Sequence, residues 1–246
     1  MNDDTRRFGS SVPPWLAPVG RWLHRVGRGM LDVVYPPRCL GCGARPESVD
    51  LPLCPTCLQT LERASPMAVA ARLDRLDAAS ILDEAFALWI FDKGGALQAV
   101  QHALKYGNRP HYGHALGRLV ATGFAGRHEA PDGVVPVPLH RLRELERGYN
   151  QAAMLGGGIA EWLERPMEAD LLTRPRPTRS QTHLSRADRW QNVSGAFEAT
   201  RSIDGGTWLL VDDVLTTGST AAAAAHTLKD AGADRVLLAT LAMART

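Results

Sequence analysis

The sequence has no marked excess of charge of either sign. Its 246 residues include 28 Lys and Arg against 26 Asp and Glu, which leaves a formal net charge of +2 at pH 7. A chain so nearly neutral is not a globally basic nucleic-acid binder, so any such role must depend on local patches. Aromatic residues are also scarce, at 6%, yet 45% of the residues are apolar, which is enough for a buried core. The length suits one domain of ordinary size and a small accessory one.

Long hydrophobic runs are missing as well. No stretch of about 18 apolar residues occurs, so we expect no membrane span. Residues 1–14 are polar and lack the uninterrupted apolar core of a signal peptide, so we expect a cytoplasmic protein. Residues 15–34 place Trp22, Val26 and Met30 at helical spacing, with basic residues on the other faces. This amphipathic helix either packs on its own domain or contacts a membrane surface or a partner.

Cysteine is rare, and all four cysteines fall in one short segment. Two C-x-x-C motifs, Cys39 with Cys42 and Cys54 with Cys57, are separated by eleven residues. Each motif brings two thiolates to one tight turn, and two such turns facing each other form a tetrahedral four-sulfur site that suits zinc. A redox pair is the alternative, but one C-x-x-C motif would be enough for that role. Since all four ligands are thiolates, the zinc would stabilise the fold and take no part in chemistry.

Strand-like and helix-like segments alternate over the C-terminal two thirds of the chain. Strand patterns occupy 84–91, 132–139, 169–174, 207–214 and 235–242, and helical patterns occupy 95–106, 111–124 and 150–164, with another after 218. This alternation predicts a parallel sheet with helices on both faces. We therefore expect an N-terminal tail with an amphipathic helix at 1–35, a zinc ribbon at 36–62, an Ala- and Arg-rich connector at 62–80, and an α/β domain at 80–246.

The strand at 207–214 delivers two adjacent carboxylates, Asp212 and Asp213, to a loop of small residues. The loop consists of Thr216, Thr217, Gly218, Ser219 and Thr220. Its backbone N–H groups lie at a helix N-terminus, where the helix dipole favours an anion such as phosphate. Carboxylates beside a phosphate would repel it unless the ligand also offers hydroxyl groups or a metal. A sugar with adjacent hydroxyls and a 5-phosphate meets both requirements.

These segments resemble a known family. LLVDDVLTTGST resembles the ribose-phosphate motif of type I phosphoribosyltransferases. The segments that resemble the ComF family of competence proteins are LKYGNR (104–109), PVPLHRLRELERGYNQ (136–151), TRSQTHLSRADRWQNVSGAF (178–197) and the cysteine segment YPPRCLGCG (35–43). The resemblance runs from about residue 31 to the end. It implies a type I phosphoribosyltransferase fold, an α/β parallel sheet flanked by helices, with a small N-terminal four-cysteine zinc ribbon.

The resemblance places a pyrophosphate loop near residues 136–151. Arg143 and Arg147 lie four residues apart, so on a helix they would clamp a diphosphate or contact a nucleic-acid backbone. Because Glu144 and Glu146 lie between them, a solvated, ion-paired helix is the alternative. In an active transferase the catalytic residues would be Asp212, Asp213, Arg143 and Arg147.

The resemblance also implies that the long basic segment from Arg174 to Asn192 is a flexible active-site loop. Its cations and its aromatic residue are Arg174, Arg176, Arg179, Arg186, Arg189 and Trp190, which suit diphosphate neutralisation or single-strand stacking, whereas a merely mobile basic loop is the alternative. The candidate contacts to pyrophosphate or DNA are Lys105, Tyr106, Arg189 and Asn192. Asn150 and Gln151 either cap the following helix or contact the ligand.

Three functions fit this pattern. The resemblance implies a protein that binds phosphoribosyl diphosphate with magnesium and handles single-stranded DNA during natural transformation, with competence proteins such as a helicase as partners. The alternative is an active phosphoribosyltransferase of nucleotide metabolism or salvage, although no segment clearly selects a purine or a pyrimidine. A third hypothesis is a regulatory sensor of a phosphoribosyl ligand.

Overall fold

The computed structural model describes residues 38–46, 50–74, 81–107, 109–126, 129–176 and 195–245. The predicted N-terminal helix at 15–34 and most of the basic segment, including Arg189 and Asn192, lie outside these residues. Among the residues described, no helix has the length and apolar character needed to cross a membrane.

Helices and strands alternate through most of the described chain, as the sequence predicts. The helices are α1 Pro55–Thr60, α2 Pro66–Asp74, α3 Ala96–Tyr106, α4 Pro110–Phe124, α5 Arg141–Arg147, α6 Gln151–Leu163 and α7 Ser219–Asp230. The strands are β1 Glu84–Phe91, β2 Gly133–Pro136, β3 Leu172–Thr173, β4 Glu198–Ala199, β5 Thr207–Leu215 and β6 Arg235–Ala244. Helix α2 lies in the segment that the sequence indicated only as a connector, and it buries Val69 and Leu73.

Four strands form a parallel sheet in the order β1-β6-β5-β2. The register pairs Asp212 with Thr240, so the acidic pair lies at the carboxyl end of a strand with neighbours on both sides. The strand expected at 169–174 is shorter and lies elsewhere: β3 pairs antiparallel with β4 in a separate two-stranded sheet. Pro175 follows β3 closely, and a residue without an N–H group cannot continue a ladder.

Each face of the parallel sheet covers its own apolar cluster. On β6, Leu237 and Ala239 belong to one cluster, whereas Val236 and Leu238 belong to the other. This alternation follows from the two-residue period of a strand. The first cluster also contains Cys39, Leu53 and Leu61, so the cysteine region shares a core with the α/β domain.

Helices α4 and α6 cross at very close range because glycines form their interface. A Cβ atom added to Gly158 would lie 2.0 Å from the carbonyl oxygen of His114, and one added to Gly117 would lie 2.1 Å from that of Leu155. Both neighbouring atoms are backbone and cannot rotate away. At Gly157, the nearest atom to an added Cβ is His114 Cδ2 at 3.5 Å, which is ordinary contact. Alanine would therefore fit at Gly157 but not at Gly158.

We expect Gly158→Ala to destabilise the protein by about 3 kcal/mol, because the helices would have to move apart. Gly157→Ala is the matched control, and it should be neutral or stabilising by up to about 1 kcal/mol because alanine favours the helix. Urea denaturation of both variants measures the difference. Equal stabilities would contradict the close helix contact.

Candidate functional site

The four cysteines form one cluster. Their Sγ atoms all lie within 4.8 Å of one another, and Cys39 is buried. The N–H groups of Gly41 and Cys54 donate to Cys39 Sγ over 3.4 and 3.2 Å. Burial opposes the thiolate of Cys39, but these donors and that of Cys42 lower its pKa to about 6. Four soft sulfur ligands at this spacing fit zinc.

The first cysteine turn depends on two glycines for different reasons. Gly43 has a φ of 73°, which glycine adopts without strain, and its N–H donates to the carbonyl of Cys39 over 2.9 Å. At Gly41 the reason is the lack of space for a side chain. A Cβ atom there would lie 2.9 Å from Cys57 Sγ, which is too close for a non-bonded contact. The turn therefore keeps the cysteines of both motifs close together.

Helix α3 contacts Asp213, one member of the acidic pair, through two side chains. Asp213 Oδ2 lies 3.2 Å from Lys105 Nζ and 3.3 Å from Gln101 Nε2, which donate to it. Gln101 and Lys105 are four residues apart and so lie on one helix face. Lys105, predicted as a contact to pyrophosphate or DNA, forms an ion pair with Asp213 in this structure. Gln101 carried no motif, although its spacing from Lys105 was a usable signal.

The two carboxyl groups differ in their charge. Burial raises the pKa of Asp212 to about 7, and the neighbouring Asp213 carboxylate also raises it. Burial acts against the charge of Asp213 too, but Lys105 and Gln101 hold its pKa below the ordinary value. At neutral pH, Asp213 is therefore ionised and Asp212 is only partly so.

We expect Lys105→Met to destabilise the protein by about 2 kcal/mol, because it leaves the Asp213 carboxylate beside Asp212 without its cation. The double variant Lys105→Met with Asp213→Asn should regain most of this loss. Lys93→Met, at an exposed turn, is the control. Chemical denaturation of these variants, of wild type and of Asp213→Asn alone measures the coupling, and additive losses in the double variant would argue against the ion pair.

The loop after the acidic pair turns directly into helix α7. Gly218 caps the helix with a φ of 85°, a left-handed conformation that favours glycine. Thr217 Oγ1 and Ser219 Oγ are 3.2 Å apart. Within the described part of the chain, neither the N–H of Thr217 nor that of Gly218 donates a hydrogen bond. These donors are therefore available to an anion.

A cleft of about 710 Å³ collects most of the predicted residues. Those that line it are Lys105, Tyr106, Arg143, Arg147, Asp212, Asp213, Thr216 and Thr220, together with Asn150, Gln151 and Arg174. Gly218 lines a small adjoining cavity of about 30 Å³ with Thr216 and Asp212. The cleft thus joins the acidic pair and the small-residue loop to a basic side.

The basic side of the cleft comes from helix α5, on which Arg143 and Arg147 lie one turn apart. His140 Nδ1 accepts from the N–H of Leu142 over 3.3 Å at the start of the helix. Arg143 pairs with Glu146 over 3.3 Å, in line with the ion-paired alternative, but its side chain is 56% exposed, and such a pair is weak. Arg147 donates to Gln151 Oε1 over 2.7 Å.

Asn150 is a helix cap. Its Oδ1 accepts from the N–H of Ala152 and its Nδ2 donates to the carbonyl of Val137, both over 3.0 Å. Capping, one of the two roles left open for this residue, is present, and Asn150 also lines the cleft. The same bonds tie the start of α6 to the segment after β2, and so fix one wall of the cleft.

Comparisons with known proteins agree with this architecture. Residues 30–68 match a double zinc ribbon domain, and residues 151–246 match a phosphoribosyl transferase domain. The chain is 34% identical to the DNA utilization protein YhgH of Escherichia coli K12 over 156 residues, 60% of this chain and 67% of that protein. It is 37% identical to competence protein F of Haemophilus influenzae over 117 residues, 46% of this chain and 51% of that protein.

The matches cover part of each relative. The chain spans about two thirds of the YhgH proteins that it matches, 64% in that of Salmonella typhimurium. Adenine phosphoribosyltransferase from Leishmania tarentolae is similar in structure, with a TM-score of 0.34 and 16% identity, over 61% of this chain and 74% of that one. From its cysteine cluster, its parallel sheet and its relatives, the chain belongs to the ComF family, with a zinc ribbon followed by a type I phosphoribosyltransferase fold.

Proposed function

We propose that the protein binds phosphoribosyl diphosphate with magnesium in this cleft and acts in the handling of single-stranded DNA during natural transformation. The observation that best supports the ligand is the cleft that Asp212 and Asp213 share with Thr216 and Thr220, the first and last residues of the loop. Carboxylates suit the ribose hydroxyls, and N–H groups at a helix N-terminus suit the 5-phosphate.

The diphosphate would lie toward helix α5. Arg143 and Arg147 line that side of the cleft, and guanidinium groups bind phosphate oxygens through paired donors. Among the residues that the structure describes, Asp212 has no lysine partner comparable to the Lys105 of Asp213, and its carboxylate is the hard oxygen ligand that magnesium favours. Magnesium held there and by the ligand would neutralise the diphosphate charge.

The DNA role is supported by the relatives and by the rim of the cleft. The similar proteins are named for DNA utilization and for competence. At the rim, Tyr106 is 65% exposed, and exposed Tyr and Arg side chains are the groups on which single-stranded bases stack. Tyr106 and Arg143 both line the same cleft, so a strand there would lie beside the sugar-phosphate site.

Calorimetric titration of phosphoribosyl diphosphate with magnesium, with and without a short single-stranded DNA, tests this proposal. We expect the ligand to bind, and the DNA to change its affinity. DNA binding should weaken steeply as salt rises because phosphate contacts release counterions. Absence of ligand binding would overturn the site, whereas pyrophosphate release with a candidate base would favour the active transferase.

A further inference from the structure

Arg72 connects helix α2 to the loop that follows the acidic pair. Its guanidinium donates from Nη1 to the carbonyl oxygen of Thr216, and from Nη2 to the carbonyl oxygen of Ala244 over 2.6 Å. Thr216 begins the loop, and Ala244 ends β6. Helix α2 extends beyond the double zinc ribbon match, which ends at residue 68, and lies outside the transferase match at 151–246. A residue outside the matched transferase domain therefore contacts the loop.

The contact fixes which way one peptide group faces. The described chain contains no cis peptide bond, so the bond between Thr216 and Thr217 is trans. In a trans peptide, the C=O and the following N–H point to opposite sides. With the Thr216 carbonyl held by Arg72, the N–H of Thr217 faces away from α2. If this peptide turned over, the loop would offer a carbonyl oxygen in place of a donor.

We propose that Arg72 is a positioning residue for the 5-phosphate of the ligand. It holds the Thr216 carbonyl on the α2 side, so that the Thr217 N–H remains a donor on the other side. This inference rests on the proposed function and goes beyond it, because it gives the segment between ribbon and transferase domain a part in ligand recognition. Arg72 itself does not need to touch the ligand.

We expect variants of Arg72 to lose affinity for ligands that carry the 5-phosphate and to keep their affinity for pyrophosphate. Arg72→Ala should weaken binding of ribose 5-phosphate about tenfold, the size of one charge-assisted hydrogen bond. Binding of inorganic pyrophosphate with magnesium should be unchanged, because the arginines of α5 are untouched. The affinity of Arg72→Lys for ribose 5-phosphate should lie between those of wild type and Arg72→Ala, since one ammonium group cannot reproduce the forked contact with two carbonyls.

Calorimetric titration of both ligands into wild type, Arg72→Ala and Arg72→Lys makes the measurement. Arg245→Ala is the matched control, because Arg245 pairs with Glu62 over 2.6 Å and removing it should leave both affinities unchanged. Adding guanidinium ion to Arg72→Ala should restore ribose 5-phosphate binding, whereas sodium at equal ionic strength should not. If Arg72→Ala fails to fold, Arg72→Lys replaces it in the test. The proposal then requires that Arg72→Lys lose affinity for ribose 5-phosphate but not for pyrophosphate.

The outcomes separate the two proposals. If wild type binds no ribose 5-phosphate, the proposed function fails. If wild type binds it and Arg72→Ala binds equally well, the inference about Arg72 is overturned. An equal loss for ribose 5-phosphate and pyrophosphate, without rescue by guanidinium, would show a general structural role and would also overturn it.

Discussion

Replacing Asp212 and Asp213 together by asparagine is expected to abolish detectable binding of phosphoribosyl diphosphate. Each charge-assisted hydrogen bond to a ribose hydroxyl contributes about 1.5–3 kcal/mol, so losing both should weaken binding at least a hundredfold. The fold should survive because asparagine has the same shape and removes a carboxyl group that burial already disfavours. Calorimetric titration and thermal melting of the same sample separate these two effects.

The single variants make the test sharper. Asp213 is already paired with Lys105, whereas Asp212 is not, so Asp212→Asn should lose more affinity than Asp213→Asn. Asp204→Asn, an exposed acid beyond the other end of β5, is the control. Ligand binding that persists in the double variant would show that the acidic pair is not the binding site.

Removing zinc should have the largest effect on stability. We expect freshly purified protein to carry one zinc ion per chain, and a strong chelator to unfold residues 36–60. Structural zinc contributes on the order of 10 kcal/mol to the folding of such small motifs. Because Cys39, Leu53 and Leu61 share an apolar cluster with Phe86 and Leu88, the loss should spread to β1, which is an edge strand of the sheet.

Metal analysis and amide hydrogen exchange check this expectation. Exchange should rise in the cysteine region and in β1 after chelation, but much less in β5, which has neighbours on both sides. Cys57→Ser should reproduce the effect of the chelator, and Thr56→Ser, within the same motif, should not. Protein purified without any bound metal, or with unchanged exchange after chelation, would contradict the zinc ribbon.

The sequence predicts those parts of the molecule whose signal is local. The apolar run before Asp212 predicts a strand, and each C-x-x-C motif predicts a tight turn. The alternation of segments indicates the parallel sheet. The contact between Lys105 and Asp213 was not predictable, because no pattern in α3 points to a residue in β5. Gln101 is 112 positions from Asp213, and Arg72 is 144 from Thr216. Such pairs are set by the packing of whole elements.

The position of β6 in the sheet has a consequence for biosynthesis. It is the last strand in chain order, yet it lies between β1 and β5 and is the neighbour that joins them. During translation, β1 therefore has no partner strand until more than a hundred further residues have been made and β6 has left the ribosome. The cysteine region has no such delay, since its ligands lie within 19 consecutive residues from Cys39 to Cys57. In a nascent chain, the cysteine region could thus bind its metal long before β6 completes the sheet. A ribosome that stalled before residue 235 would expose an apolar, unpaired β1 to chaperones.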